Sequence, residues 1–485
     1  MRHTTFRFAL ALTPAQAAML ARHAGASRFA YNQCLGLVTD ALASKRMDPQ
    51  VRVPWSGFDL INACNAWKRS EAAGRIYVVT PDGTITKQVT GLAWRHAVSA
   101  QVFEEAAVDL SRALSAYSHA KAGARKGRQV GFPRRKRKGR CRDGFRLRNK
   151  QGKGDTFSIR VGEGHPRSVT LPRIGVVRVH DDTRRLRRLL RPVERLDPDT
   201  RQLVVAPRAK VLFATVSRHG SRWYVSLNVQ APDFHAQRRH PPRPAHDSGG
   251  FVGVDRGLAA FAVAATADGT EVGRFKAPTP LRRGMVGLRR RSRRASSTRP
   301  RSRNRVKAIR RLSRQHARIA NIRRHFLHAV SCQLVQTHDR LCLEDLAVAN
   351  LMTNRYLARA IADAAWTEFA RQLGYKAAWF GAELVACDRW FPSTKTCSRC
   401  GTIKQQMGLA ERIFRCDGCG LVTDRDRNAA ANLAAWAERY HAQAPDRQAG
   451  GRATNAPGGE GTGHRRGDGG TDPSEGGTDA HAVVA

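Results

Sequence analysis

No uninterrupted apolar run in this chain approaches the ~18–20 residues that span a bilayer, which excludes a helical integral membrane protein. The N-terminal MRHTTFRFALALTPAQA ends like a signal-peptide cleavage site. Its apolar core, Phe8 to Leu12, is shorter than the ~7–15 residues a secretory signal needs. The segment reads instead as a short strand and a helix, with Thr13 as N-cap, Pro14 at the first helical position and Gln16 completing a capping box. This points to the cytoplasm of a bacterial cell. Cysteine is modest: ten residues, six of them scattered (Cys34, Cys64, Cys141, Cys332, Cys342, Cys387) and four in two CxxC pairs. That usage suits a reducing compartment and a metal site rather than a disulfide framework. No repeat of solenoid period is present.

Acid is what the sequence most lacks. Against 85 Lys and Arg stand 39 Asp and Glu, a formal charge of +46 and a pI near 11.4. A folded protein this basic repels itself unless a polyanion neutralises it, which argues against an ordinary metabolic enzyme and for DNA, RNA or an anionic membrane as the partner. At 485 residues the chain is long enough for about three domains.

The deficit is concentrated. Residues 121–150 hold fourteen Lys or Arg and one acid, Asp143; residues 282–324 hold eighteen and none. A short basic run is usually a solvated face. Runs this long without acids need phosphates between them. Arg134, Arg135, Lys136, Arg137 and Lys138 in the first run, and Arg289, Arg290 and Arg291 in the second, are the candidate nucleic-acid contacts, with Phe132 and Phe145 available to stack on bases.

Between these runs the pattern changes class. From Thr13 to about Lys121 apolar residues recur at helical spacing, with Gly25 expected to end the first helix. IYVVTPDGTITKQVT predicts a hairpin turning at Pro81-Asp82-Gly83. From 155 to about 232 short alternating runs predict an antiparallel barrel or sandwich, and a Pro- and His-rich linker follows. At Phe251 an α/β pattern begins: a strand, a turn at Asp268-Gly269, a returning strand, the second basic run (helical from about Asn304), the buried strand RLCLEDL, a helix around 355–380, and the strand AELVACDRW. An Ala-rich helix closes it. Residues 441–485 contain eleven Gly and no Leu, Ile, Phe, Met or Trp, a composition too poor in apolar surface to order itself.

Two constellations carry chemistry. Cys397-x-x-Cys400 and Cys416-x-x-Cys419, fifteen residues apart, have zinc-ribbon spacing, and Gly401 and Gly420 permit the tight knuckles. Four thiolates close a tetrahedron, so the zinc is structural; two disulfides or free core thiols are the alternatives. The second constellation is Asp255, Glu344 and Asp426, each an acid where a buried run meets a turn or helix. A carboxylate there is costly unless a cation compensates it, and Mg²⁺ or Mn²⁺ prefers such hard oxygen ligands. Taken singly, Asp255 reads equally as a turn residue, Asp426 as an N-cap, and Glu344 with Asp345 as arginine partners.

GVDRGLAAFAVAA, LCLEDLAVANL and FPSTKTCSRCG…FRCDGCGLVTDRDRNAAANL resemble the three RuvC motifs and zinc ribbon of the transposon-encoded OrfB/TnpB proteins, themselves similar to compact type V CRISPR nucleases. The N-terminal FRFALALTPAQ and the middle GFPRRKRKGRCRDGFRLR share the resemblance, which runs from about residue 5 to 435. It implies a multi-domain α+β protein: a helical lobe (21–125) inserted into a β-barrel (1–20 and 126–235), a linker (236–250) and an RNase H-like RuvC domain (251–440) with a zinc ribbon at about 393–423; the tail expected to be disordered (441–485) lies outside the resemblance. It implies two Mg²⁺ (or Mn²⁺) ions on Asp255, Glu344 and Asp426, with Asp426 rather than Asp424 because the family's acid precedes x-Asn-Ala-Ala. It implies a guide RNA and a DNA target cut by phosphodiester hydrolysis. A non-cleaving nucleic-acid-binding regulator and a type V CRISPR effector are the competing readings.

Overall fold

The computed structural model describes residues 2–79, 84–124, 129–151, 157–196, 203–232, 238–244, 247–408 and 411–443. The expected hairpin turn at 81–83 and the expected disordered tail beyond residue 443 lie outside them. The chain divides into two compact units, one from Met1 to Asp233 and one beginning at Phe234. No helix among the described residues is long and apolar enough to cross a membrane.

The first unit begins with β1 (Arg2–Ala11), then α1 (Pro14–Met47), α2 (Gly57–Arg69), the hairpin β2 (Arg75–Val79) and β3 (Ile85–Val89), and α3 (Gln101–Lys121). Short strands follow: β4 (Gly144–Arg148), β5 (Arg160–Val161), β6 (Ser168–Leu171) and β7 (Gly175–Val179). A short helix α4 (Arg184–Leu190) leads to β8 (Pro192–Leu196), β9 (Leu203–Pro207), β10 (Lys210–His219) and β11 (Arg222–Ala231). The capping box at Thr13 forms as expected, with Gln16 N–H donating to Thr13 Oγ1 at 3.2 Å and Thr13 N–H to Gln16 Oε1 at 3.1 Å.

Gly25, however, does not end α1, which runs on to Met47 as one helix. Its neighbours Ala24 and Ala26 are buried, and this packing against α3 outweighs the ~1 kcal/mol a mid-helix glycine costs. The sheet order is β4-β10-β11-β1-β7-β6-β5. β1 joins its two halves, pairing with β11 over Arg2–Ala9 and with β7 at Leu10 and Ala11. The strict alternation of β11, buried at Trp223, Val225, Leu227 and Val229, gives the sheet one apolar face.

Phe145 corrects one expectation. It is 4 % exposed on β4 and packs on His23 with centroids 5.2 Å apart, so it is core and not a stacking platform. The alternation of β4, with Phe145 and Leu147 inward, turns its arginines outward instead.

The second unit is a mixed five-stranded sheet flanked by helices. Its elements are β12 (Val252–Asp255), β13 (Ala262–Thr266), β14 (Glu271–Phe275), α5 (Pro280–Ser297), α6 (Arg303–Thr337), β15 (Arg340–Glu344), α7 (Val348–Leu351), α8 (Ala358–Ala364), α9 (Trp366–Phe380) and β16 (Glu383–Cys387). β17 (Ile413–Arg415), β18 (Val422–Asp424) and α10 (Arg425–Gln443) complete it. The order is β14-β13-β12-β15-β16, with β12, β15 and β16 parallel and β13 and β14 antiparallel. Strands covered on both faces read as near-continuous apolar runs, which is why FVGV and LCL lack polar alternation.

Two helix boundaries differ from expectation. The second basic run is helical from Pro280, before a break at residues 298–302, rather than from about Asn304. Pro280 sets the first turn of α5, and Asp363 accepts the N–H groups of Leu281 and Arg282 that would otherwise be unpaired there. The helix expected around 355–380 is two helices, because Ala365 adopts a left-handed φ of 54° between α8 and α9.

Candidate metal and carboxylate centres

Strand periodicity decides which acids face each other. Val252 and Val254 on β12, and Leu341 and Leu343 on β15, pack under α6 and α9. The alternate residues Phe251 and Cys342 face α10, with Leu433 and Ala434. By the same period of two, Asp255 and Glu344 fall on the α10 side, and the register Val254↔Leu343 sets them at the ends of adjacent parallel strands. Ligands gather at such carboxyl ends in open α/β sheets.

Gly253 lets the third acid arrive. A Cβ there would stand 1.9 Å from the Ala430 carbonyl oxygen and 2.7 Å from Ala434 N, so the backbone of α10 lies directly on β12. Ala429, Ala430, Ala431 and Ala434 are buried at that contact. The N-terminus of α10, carrying buried Asp426, is thereby brought to the strand ends, and Asp426 Oδ2 lies 3.9 Å from where a Cβ at Gly257 would be.

The electrostatics agree. Burial raises the Asp255 pKa to about 7, the Asp426 and Glu344 carboxylates add to this, and Arg425 and Arg256 oppose it. Glu344 is also raised, by burial first, with Arg256 opposing and Asp345 adding. Like charges held together in a dry setting favour the protonated form until a cation relieves them. The three carboxylates are thus brought into one electrostatic neighbourhood, although among the described residues only the cysteines gather within 4.8 Å as a ligand cluster.

The neighbouring acids have other partners. Asp424 Oδ1 accepts from Arg427 N–H at 3.0 Å and pairs with Arg274 at 3.1 Å, so it caps the first turn of α10 and leaves Asp426 free of that duty. Asp345 pairs with Arg389 at 2.6 Å. Arg256, which sequence reasoning passed over, turns to the opposite face. Its guanidinium is 7 % exposed, donates to the Glu344 and Trp366 carbonyl oxygens, and is depressed by burial to about 10. It ties the end of β15 to the end of β12.

The four cysteines meet. Sγ separations are 3.6 Å for Cys397–Cys419 and 3.5 Å for Cys400–Cys416. A tetrahedron of thiolates at the usual ~2.3 Å Zn–S distance has edges of about 3.8 Å, so the cluster fits a structural metal ion such as zinc with no open position. Gly401 and Gly420 have φ of 78° and 71°, the left-handed knuckle a side chain would strain. Gly418 and Cys419 N–H groups donate to Cys416 Sγ at 3.3 and 3.4 Å.

Asn428 and Asn432, also missed, fasten this ribbon to α10. Asn428 Nδ2 donates to the Thr396 carbonyl at 2.7 Å and its Oδ1 accepts from Ser398 N–H at 3.0 Å, while Asn432 Nδ2 donates to the Ser393 and Thr396 carbonyls. Two asparagines four apart in an otherwise Ala-rich buried helix were the available signal.

Of the basic candidates, Arg134, Arg135, Arg137, Lys138, Arg289 and Arg290 are exposed and carry no ion pair among the described residues. Lys136 is half-buried, its Nζ 3.9 Å over the Tyr31 ring and its backbone clamped by Asn32. Arg291 donates to the Gly287 carbonyl. Phe132 meets Tyr117 edge-on at 5.4 Å.

Known proteins are similar to this chain in sequence. Residues 228–355 match the OrfB_IS605 family, described as "Probable transposase", and residues 366–433 the "Cas12f1-like, TNB domain". A Mycobacterium tuberculosis protein named "Putative RNA-guided DNA endonuclease Rv2885c" is 34% identical over 447 residues, covering 89% of this chain and 86% of its own. The chain belongs to the OrfB/TnpB family. Escherichia coli InsQ, carrying the same printed description, is 27% identical over 72% of this chain and 77% of its own. The Sulfoacidibacillus thermotolerans protein named "CRISPR-associated endodeoxyribonuclease Cas12f1" is 25% identical over 44% of this chain and 50% of its own. Residues 1–47 match a "Helix-turn-helix domain" description, yet here they form one strand and one uninterrupted helix.

Proposed function

We infer that this family member is an RNA-guided, metal-dependent DNA endonuclease, with Asp255, Glu344 and Asp426 holding divalent ions in an RNase H-like (RuvC) domain spanning 251–440. The observation that carries this is the raised pKa of Asp255, driven by burial, by Asp426 in the first turn of α10 and by Glu344 at the end of the adjacent parallel strand. Such a set is destabilising without a cation and suits Mg²⁺ or Mn²⁺. These carboxylates would hold the ions, and the chemistry so supplied would be water activation and charge stabilisation for phosphodiester hydrolysis. Arg256 fixes the spacing of β12 and β15 through the Glu344 carbonyl, and Gly253 fixes the depth at which α10 delivers Asp426. The arginines of 134–138 and 289–291 bind nucleic-acid backbone, where pairing of RNA to DNA reads the sequence.

The relatives' printed names support the same reading. In the first unit we assign 1–20 and 126–235 to one β-barrel interrupted by the helical lobe 21–125; the pairing of β1 with β11 and β7 supports it. The test is to sequence RNA that co-purifies with the full chain, supply DNA matching it, and follow cutting with Mg²⁺ and after chelation. RNA-dependent binding with no cutting at any divalent ion would leave the regulator reading instead.

A further inference from the structure

Immediately past Asp255 lies a cavity of about 320 Å³ that the carboxylates themselves do not fill. That volume is at the lower end of small-ligand sites. Gly257 lines it, the same residue whose Cβ position lies 3.9 Å from Asp426 Oδ2, so the cavity adjoins the acidic centre. Phe261 and Phe326 give it an apolar wall, meeting edge-to-face at 4.9 Å. Tyr356 also lines it, yet its side chain is 78 % exposed. Arg355 steadies that ring, its guanidinium 4.8 Å from the centroid and its Nη2 donating to the phenol oxygen at 2.7 Å.

The charge in the cavity is positive. Its one acid, Asp363, is buried and already accepts from Leu281 N–H, Arg282 N–H and Arg323. Arg282 and Arg359 line the cavity as well and have no acidic partner among the described residues. Arg323 Nε is buried without an acceptor.

Aromatic walls alone would suit any flat apolar ligand, and arginines alone any anion. A nucleotide within a single strand offers both, a planar base flanked by phosphates, and base–aromatic stacking contributes about 1–3 kcal/mol. We propose that this cavity takes one unstacked base of the DNA strand next to the phosphate being cut, with Tyr356 and the Phe261–Phe326 wall against the base and Arg282 and Arg359 on the flanking phosphates. This rests on the endonuclease reading above for the identity of the strand. The pocket positions the strand and does no chemistry itself.

The experiment uses the full-length chain and a deoxytrinucleotide with a central 2-aminopurine, whose emission changes when its base stacks. Binding is followed for wild type, for Ala360→Trp, which fills the cavity, and for Tyr356→Ala, whose exposed ring is removed without loss of core packing. The expected result is saturable quenching, weakened at least about tenfold in both variants, with an abasic trinucleotide competing poorly. No binding, equal competition by the abasic form, or unchanged affinity in Tyr356→Ala would each overturn the pocket. Preference for the ribo form over the deoxy form would overturn the DNA assignment. This readout needs no strand cutting, so failure of the endonuclease reading, seen as no metal-dependent cleavage by wild type, is separable from failure of the pocket.

Discussion

The cysteine cluster and the carboxylate centre sit in one unit of the molecule and are built in opposite ways. The four thiols come from two tight knuckles within 23 residues, so spacing alone fixes their geometry. The three acids come from positions 255, 344 and 426, and share one electrostatic neighbourhood because two parallel strands pair in register and a small-residue helix lies against a glycine. A local site is specified by its own loop. A distributed one is specified by the packing of everything between its parts, and its members are individually ordinary residues.

The comparison breaks most decisively at the acids. Asp255→Ala should lower metal-dependent DNA cleavage by at least about a hundredfold, since several kcal/mol of charge stabilisation is removed, while thermal stability without divalent ion stays equal or rises. Retained cleavage would remove Asp255 from the centre. Cys397→Ser should do the reverse in stability: loss of one bound zinc per chain by elemental analysis and a lowered melting temperature, because a structural ion's binding energy is folding energy. An unchanged metal content would argue for thiols that bind nothing.

Gly253→Ala sharpens the contrast, because it touches no ligand of either site. With a Cβ 1.9 Å from the Ala430 oxygen, the helix must move, at a cost of about 1–3 kcal/mol and with cleavage reduced; wild-type stability would show that α10 sits elsewhere. The pH dependence separates the sites further. In the fold Asp255 keeps its proton up to about pH 7, whereas in the unfolded chain it loses it near pH 4. The native state therefore binds the extra proton between these values, and the stability this carboxyl contributes is present below about pH 4 and lost as pH rises through about 7. Melting curves without divalent ion should show this fall, flattened in Asp255→Asn and reversed by added Mg²⁺. The smallest effect is expected at Asp424→Ala, which removes a helix cap for about 1 kcal/mol and leaves cleavage within about twofold.

Legibility in the sequence follows the same division. The cysteine spacing, the Thr13 capping box and the turn at Asp268-Gly269 are local, and each appears where the residues placed it. Gly25 misled because burial of its neighbours against α3 is a tertiary fact. The start of α5 was missed because its N-terminal donors are satisfied by Asp363, more than 80 residues away. Phe145 looked like a platform among arginines, but strand alternation turns it inward. Asn428 and Asn432 gave a faint sign, polar residues four apart in an alanine helix, whose meaning depends on a ribbon the spacing does not locate.

Helix α6 has a consequence of its own. Its 35 residues rise about 52 Å at the standard 1.5 Å per residue, and six of its eight buried side chains fall at or after Leu327. The arginine-studded half before Leu327 packs along α5, where Arg305 donates to the Ala295 and Thr298 carbonyl oxygens, while the end from Leu327 onward forms the floor beneath β12 and β15. The two basic helices thus form one hairpin, joined to the floor of the sheet by the unbroken backbone of α6.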